Sequence, residues 1–182
     1  MAMVKFASKK RIGIFGGSFS PIHHGHFLMA EIARVKMKLD YVIFMPVFHS
    51  PYKSRSPISQ DKHRLNMIKL AIANNPYFKV SDMELKRKGV SYSIDTLREV
   101  QNINPTSKLF WIIGDDHIEK LPKWKNFDEI IKIASFVAIS RLWFNVSSTE
   151  VRQLIRTKQS IRYLTTDKVI DYIKKHQLYR KQ

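Results

Sequence analysis

Two histidines three residues apart, His23 and His26, follow a glycine pair in the stretch Ile12-Gly13-Ile14-Phe15-Gly16-Gly17-Ser18-Phe19-Ser20-Pro21-Ile22-His23-His24-Gly25-His26. Gly16 and Gly17 let the chain turn sharply and approach a ligand with no Cβ in the way. A helix opening near Gly25 presents free N–H groups and the positive end of its dipole, a setting that attracts an anion. At a spacing of three, both rings face one point on a helical turn, whereas His24 points elsewhere. Imidazoles so placed can donate hydrogen bonds to oxygens that gain charge in a transition state, which stabilises a reacting phosphate without covalent catalysis.

Other residues carry compatible chemistry. Asn145-Val146-Ser147-Ser148-Thr149-Glu150-Val151-Arg152 offers three hydroxyls and an arginine at a helix start. Ser147 with Glu150 reads equally as an ordinary capping box. Arg152 is the discriminating residue, because a cation in the first helical turn opposes the dipole unless an anion is bound there. Lys53 ends a proline-bounded loop and can reach phosphate as a flexible point charge. Ser93 can cap a helix whose first N–H groups can bind a carboxylate. Asp115 and Asp116 end an apolar run, and Trp124 follows as either a stacking platform or a core residue. No acid or histidine cluster accompanies the two aspartates, so a metal held by the protein alone is not expected.

The elements that must position these groups alternate along the chain. Strands are predicted at Arg11–Gly16, Tyr41–Val47, Phe78–Met83, Lys108–Gly114 and Ser135–Ser140. A helix is expected with Leu28, Ile32, Val35 and Leu39 as its inward stripe, and another capped by Ser59 with Leu65, Ile68 and Ile72 inward and Arg64 on its surface. Lys86–Gly89 reads as a polar turn. A helix capped by Ser93 places Ile94, Leu97 and Val100 inward, Asp115–Ile133 is helical in parts around Pro122, and helices at Ser148–Thr157 and Asp167–His176 finish the chain. Strands apolar throughout and separated by helices indicate an α/β, doubly wound, mainly parallel sheet of five or slightly more strands, covered on both faces, with a helical C-terminus. Ligands then belong beyond the carboxyl ends of the strands, after Phe15, Val47, Ile113 and Ser140.

The 182 residues suit an N-terminal extension (1–10) and a single domain (11–182). With no cysteine, disulfides, thiolate metal sites and a cysteine nucleophile are excluded. No apolar run approaches the roughly 20 residues that span a bilayer, so no membrane is expected and the cytoplasm is the expected location. Net charge of +17 implies a field that attracts anions. Much of the excess lies at Lys86-Arg87-Lys88 and near Lys174–Lys181, without a nucleic-acid-binding motif, so these read as solvated faces.

The opening stretch closely resembles the nucleotidyltransferase signature, a glycine-phenylalanine turn followed by His-x-Gly-His. The motifs around it resemble the bacterial nicotinate-mononucleotide adenylyltransferase branch, from Ile12 to Tyr172-Ile173 and Leu178-Tyr179. These motifs are Pro46–Lys53, Ser91-Tyr92-Ser93-Ile94-Asp95-Thr96-Leu97, Gly114-Asp115-Asp116, Leu121-Pro122-Lys123-Trp124 and Ser147–Arg152. The resemblance implies a Rossmann-like sheet and transfer of the adenylyl group of ATP to nicotinate mononucleotide, giving nicotinate adenine dinucleotide and pyrophosphate in NAD biosynthesis. It implies that His23, His26, Lys53 and Arg152 are catalytic. It places Gly16, Gly17, Ser18, Phe19, His23, His26, Asp116, Ser147, Ser148, Thr149 and Arg152 at ATP. It assigns Ser93, Thr96 and Trp124 to nicotinate mononucleotide, and Mg2+ to ATP.

Two departures stand out: Ser20 occupies a position where the family usually has Asp, and Arg141–Ser147 is a short connection where the family carries a longer loop and a further strand. The resemblance leaves room for a homo-oligomer. Two other readings are nicotinamide mononucleotide or phosphopantetheine as acceptor, and a basic nucleic-acid-binding module that releases no pyrophosphate.

Overall fold

The computed structural model describes residues 9–51, 59–140 and 146–180. Lys53, most of the N-terminal extension, and the short connection after the fifth strand lie outside them.

Five strands, β1 (Arg11–Gly17), β2 (Tyr41–Pro46), β3 (Phe78–Val80), β4 (Lys108–Gly114) and β5 (Ala134–Ile139), form one sheet in the order β3-β2-β1-β4-β5, with every neighbouring pair parallel. The helices are α1 (His24–Lys36), α2 (Asp61–Ile72), α3 (Met83–Arg87), α4 (Ser93–Ile103), α5 (Phe127–Ile133), α6 (Ser148–Arg156) and α7 (Asp167–Lys175), with a 3-10 helix over Asp115–Lys123. Successive residues of a strand face opposite sides, so the central strands feed two cores. Phe15, Phe110 and Ile112 pack with α1, α2, α6 and α7 residues on one face. Ile12, Ile14, Trp111 and Ile113 pack with α4 and α5 residues on the other. Burial on both faces is why these strands read as continuous apolar runs. The chain builds outward from β1 to β3, then crosses to β4, leaving a topological switch point between β1 and β4 where a doubly wound sheet opens for a ligand.

The structure corrects several local expectations. The stripe proposed for α1 faces the core only in part: Ile32 packs against it, but Leu28 and Val35 are 45% and 59% exposed, and Gly25, Met29, Ala30 and Ala33 form the buried face. Gly25, Ala30 and Ala33 are small enough for α1 to lie close to the sheet there, while Leu28 and Val35 point outward. Leu39 is buried but lies beyond the end of the helix. The third strand is short because Met83 begins α3, and the turn that follows uses left-handed backbone at Lys88 and Gly89. Ser59 is not a cap; Gln60 precedes α2 and Ser59 is buried elsewhere. Likewise Tyr92 occupies the N-cap of α4 and Ser93 is its first residue.

Arg64, expected on a helix surface, has no exposed area at all. Its Nη1 donates to the Ser18 carbonyl (2.9 Å) and its Nη2 to Asp61 Oδ1 (2.5 Å). A buried guanidinium requires such partners, and here they carry its charge directly beneath the glycine turn.

Candidate active site

The loop after β1 leads into the mouth of α1. Gly17 is required by its neighbour, since a Cβ there would lie 2.8 Å from the Phe19 ring. The left-handed backbone falls on Phe19 (φ 46°), which is held by burial against Phe15, Phe44 and His26. Ser20-Pro21 is a cis peptide. Phe19 therefore shapes the turn and braces His26 edge-on, at 4.9 Å between ring centroids.

His23 stands at the N-cap of α1 and its ring stacks on His26, with centroids 3.7 Å apart and planes at 29°. The His23 backbone N–H donates to His26 Nδ1 (3.2 Å). Nδ1 is thereby an acceptor, so the neutral ring carries its proton on Nε2, its donor edge. His24 takes no part in the cleft: its N–H donates to the Leu164 carbonyl and its ring leans on Phe27.

Across the same opening lies the N-terminus of α6. Ser147 is its N-cap, accepting from Glu150 N–H (3.1 Å), so the capping-box cue reflects a real cap while the hydroxyl proton remains available to donate. Ser148 Oγ donates to the Pro21 carbonyl (2.8 Å). Arg152 Nη1 donates to the Ser20 carbonyl (2.7 Å) and Nη2 to Thr149 Oγ1 (3.1 Å). Desolvation by burial, with the Arg156 charge adding, lowers the Arg152 pKa against the opposing influence of Tyr179; an arginine nonetheless stays protonated. Thus α6 grips the turn that carries the histidines, and both halves face one cleft of about 860 Å³. A volume at the upper end of ordinary ligand pockets suits more than one small-molecule moiety.

The cleft runs from Gly16–Ser20, His23 and His26 past Asp116 to Ser91, Ser93, Glu84 and Trp124. Asp116 stands exposed at the rim, with a carboxylate oxygen 3.8 Å from His117 Nε2. Trp124 is largely buried, edge-on to Trp111 and Phe136, and forms a wall of the cleft. Among the described residues there is no cluster of three or more histidines and acids able to hold a metal.

Thr96 is not among the residues that line the cleft. It is fully buried, its hydroxyl donating to Glu84 Oε1 (2.6 Å) and accepting from Arg87 Nη2 (2.9 Å). Its hydroxyl is therefore engaged, and the residue that reaches the cleft is Glu84. Sequence reasoning missed Glu84, Trp111 and Met29 as cleft residues because one lies in an ordinary charged run and the others in apolar stretches. Glu84 is only 2% exposed, and its Oε2 has no hydrogen-bond partner among the described residues. Burial pushes its carboxyl above the usual range, against the opposing hydrogen bonds from Thr96 and Ser91 and the Arg87 charge. A carboxyl whose folded pKa lies above its unfolded value costs stability as pH rises from the unfolded value of 4.5 toward the folded one. Glu84→Gln keeps an acceptor for Thr96 and removes this cost, so the variant should gain on the native chain as pH rises from about 4.5 toward neutrality. Thermal unfolding of both chains across that range is the check; parallel curves would mean that Glu84 ionises without penalty.

A parallel doubly wound sheet with a histidine pair and a helix N-terminus facing each other at its switch point defines an α/β protein built to act on a nucleotide phosphate. Residues 14–159 match the cytidylyltransferase-like family model. The nicotinate-nucleotide adenylyltransferase of Bacillus subtilis is 39% identical over 93% of this chain and 98% of its own length. A relative from Oceanobacillus iheyensis, carrying the provisional form of that name, is 40% identical over 93% of this chain and 97% of its own. A crystal structure from Vibrio parahaemolyticus shares the fold at a TM-score of 0.80 and 23% identity, covering 95% of this chain and 97% of that one. The chain belongs to the nicotinate-nucleotide adenylyltransferase family, within the cytidylyltransferase-like proteins. Among its described residues no helix is long and apolar enough to cross a membrane.

Proposed function

We propose that this protein transfers the adenylyl group of ATP to the 5′-phosphate of nicotinate mononucleotide, releasing pyrophosphate and nicotinate adenine dinucleotide in NAD biosynthesis. The observation that carries the reading is the stacked His23–His26 pair facing Arg152 and the α6 N-terminus across one cleft.

In the step, a phosphate oxygen of the acceptor bonds to the α-phosphorus while the bond to the bridging oxygen of the leaving pyrophosphate breaks. No protein nucleophile is required; the protein supplies positioning and charge stabilisation. His23 and His26 donate to the α-phosphate oxygens as charge develops. Arg152, Ser147, Ser148 and Thr149 take the β- and γ-phosphates, with Lys53 adding charge from its loop. Gly16, Gly17, Ser18 and Phe19 form the floor of the turn, and Asp116 takes ribose hydroxyls. Ser93 offers helix-start N–H groups to the nicotinate carboxylate beside Trp124, and Thr96 serves indirectly by holding Glu84. Magnesium belongs to the substrate, arriving on the triphosphate.

Pyrophosphate release from MgATP, compared across nicotinate mononucleotide, nicotinamide mononucleotide and phosphopantetheine, tests this. Nicotinate mononucleotide should be the preferred acceptor. Preference for another acceptor, or release with none, would overturn the assignment.

A further inference from the structure

Three hydroxyls from distant parts of the chain meet behind the catalytic turn. Ser20 Oγ lies 3.0 Å from Ser59 Oγ and 3.2 Å from Tyr179 Oη, and Tyr179 Oη lies 2.9 Å from Ser59 Oγ. All three residues are buried. A hydroxyl can donate once and accept, so a closed ring of three satisfies every member by passing one proton donation around it. Such a cycle in a low-dielectric setting is strengthened by mutual polarisation. The Ser59 backbone N–H reaches Ser20 Oγ as well (3.3 Å). Burial raises the Tyr179 phenol above its ordinary range, opposed by the hydrogen bonds from Ser20 and Ser59 and by the Arg152 and Arg64 charges.

The ring joins parts with different duties. Ser20 sits in the turn between Phe19 and His23, and its carbonyl is the acceptor for Arg152 Nη1 (2.7 Å). Tyr179 is one of the last described residues, and it holds a left-handed backbone (φ 65°) that a bulky residue adopts only when its surroundings impose it. The Ser20 residue is thus held on both sides, by the ring at its hydroxyl and by the guanidinium at its carbonyl.

We propose that Tyr179 is a positioning residue for the triphosphate half of the site: through Ser20 it fixes the carbonyl to which Arg152 is tied, so that the C-terminal segment sets the pose of the phosphate clamp. This rests on the reading of Arg152 as a triphosphate ligand. It also gives Ser20 a duty of its own, with neutral hydroxyls securing the turn.

Tyr179→Phe removes one hydroxyl and keeps the aromatic packing. ATP affinity, measured by calorimetry on the full chain, should weaken about five- to tenfold, the effect of losing one buried hydrogen bond that preorganises a charged ligand. The KM for nicotinate mononucleotide should stay within about twofold, because its contacts lie at the other end of the cleft. Ser59→Ala opens the same ring from another residue and should give the same split, and it carries the test if Tyr179→Phe does not fold. The double variant should lose little beyond either single one, since both break one unit. Unchanged ATP affinity in a folded variant, or equal weakening toward both substrates, would overturn the proposal. A native chain that binds ATP but releases no pyrophosphate would instead overturn the functional reading and leave the binding test standing.

Discussion

His26→Ala should lower kcat by on the order of 10²- to 10³-fold, the loss seen when one preorganised donor to a developing oxyanion is removed. The structure says why this ring is suited to the role. Its Nδ1 is occupied by the His23 N–H at 3.2 Å, which leaves Nε2 as the proton-bearing edge. Phe19 braces one side of it and His23 stacks on the other, so the donor pays little reorganisation when charge appears. Stability should fall by only about 1 kcal/mol, since the variant loses one hydrogen-bond acceptor at a helix start. His23→Ala should lower kcat similarly, with a larger stability cost because that ring is buried over Gly25. Steady-state rates with saturating ATP and acceptor, together with thermal unfolding, separate the two effects; turnover near the native value in either folded variant would remove the pair from the chemistry.

Arg152→Lys should be nearly as damaging as Arg152→Ala, each lowering kcat/KM for ATP by roughly 10²-fold, about 2.7 kcal/mol of transition-state stabilisation. The guanidinium spans two anchors at once, the Ser20 carbonyl and the Thr149 hydroxyl. A lysine ammonium is a point charge without that fork and cannot hold both while facing phosphate. Loss in the alanine variant alone would mean that charge suffices and that the tie to Ser20 is incidental. Near-native kcat/KM in both variants would place the triphosphate elsewhere.

These expectations rest on features of unequal legibility. The strands were readable because a parallel sheet buries both faces: Lys108–Gly114 is bounded as its apolar run predicts. The histidine pair and the Ser147–Arg152 element were readable because each is local, a spacing on one turn and a charge at one helix end. The inward face of α1 was read correctly at Ile32 but misread at Leu28 and Val35, because the pattern of large apolar residues carries no record of small residues packing closest to the sheet. Arg64 was misread for a related reason: what makes its burial tolerable is the Ser18 carbonyl, 46 residues away.

By itself, then, the sequence determined the doubly wound sheet, the order of its five strands and the two motifs that were candidates for binding phosphate, all of which follow from periodicity and short spacings. Only the tertiary structure decided that these motifs share one cleft and that Arg152 is tied to the turn carrying the histidines. It also decided that Glu84 rather than the Thr96 hydroxyl meets the cleft, and that Ser20, Ser59 and Tyr179 close a ring. The physical reason is that a hydrogen bond between residues 39 to 159 positions apart leaves no periodic trace in the chain; it exists only once the sheet has brought its ends together.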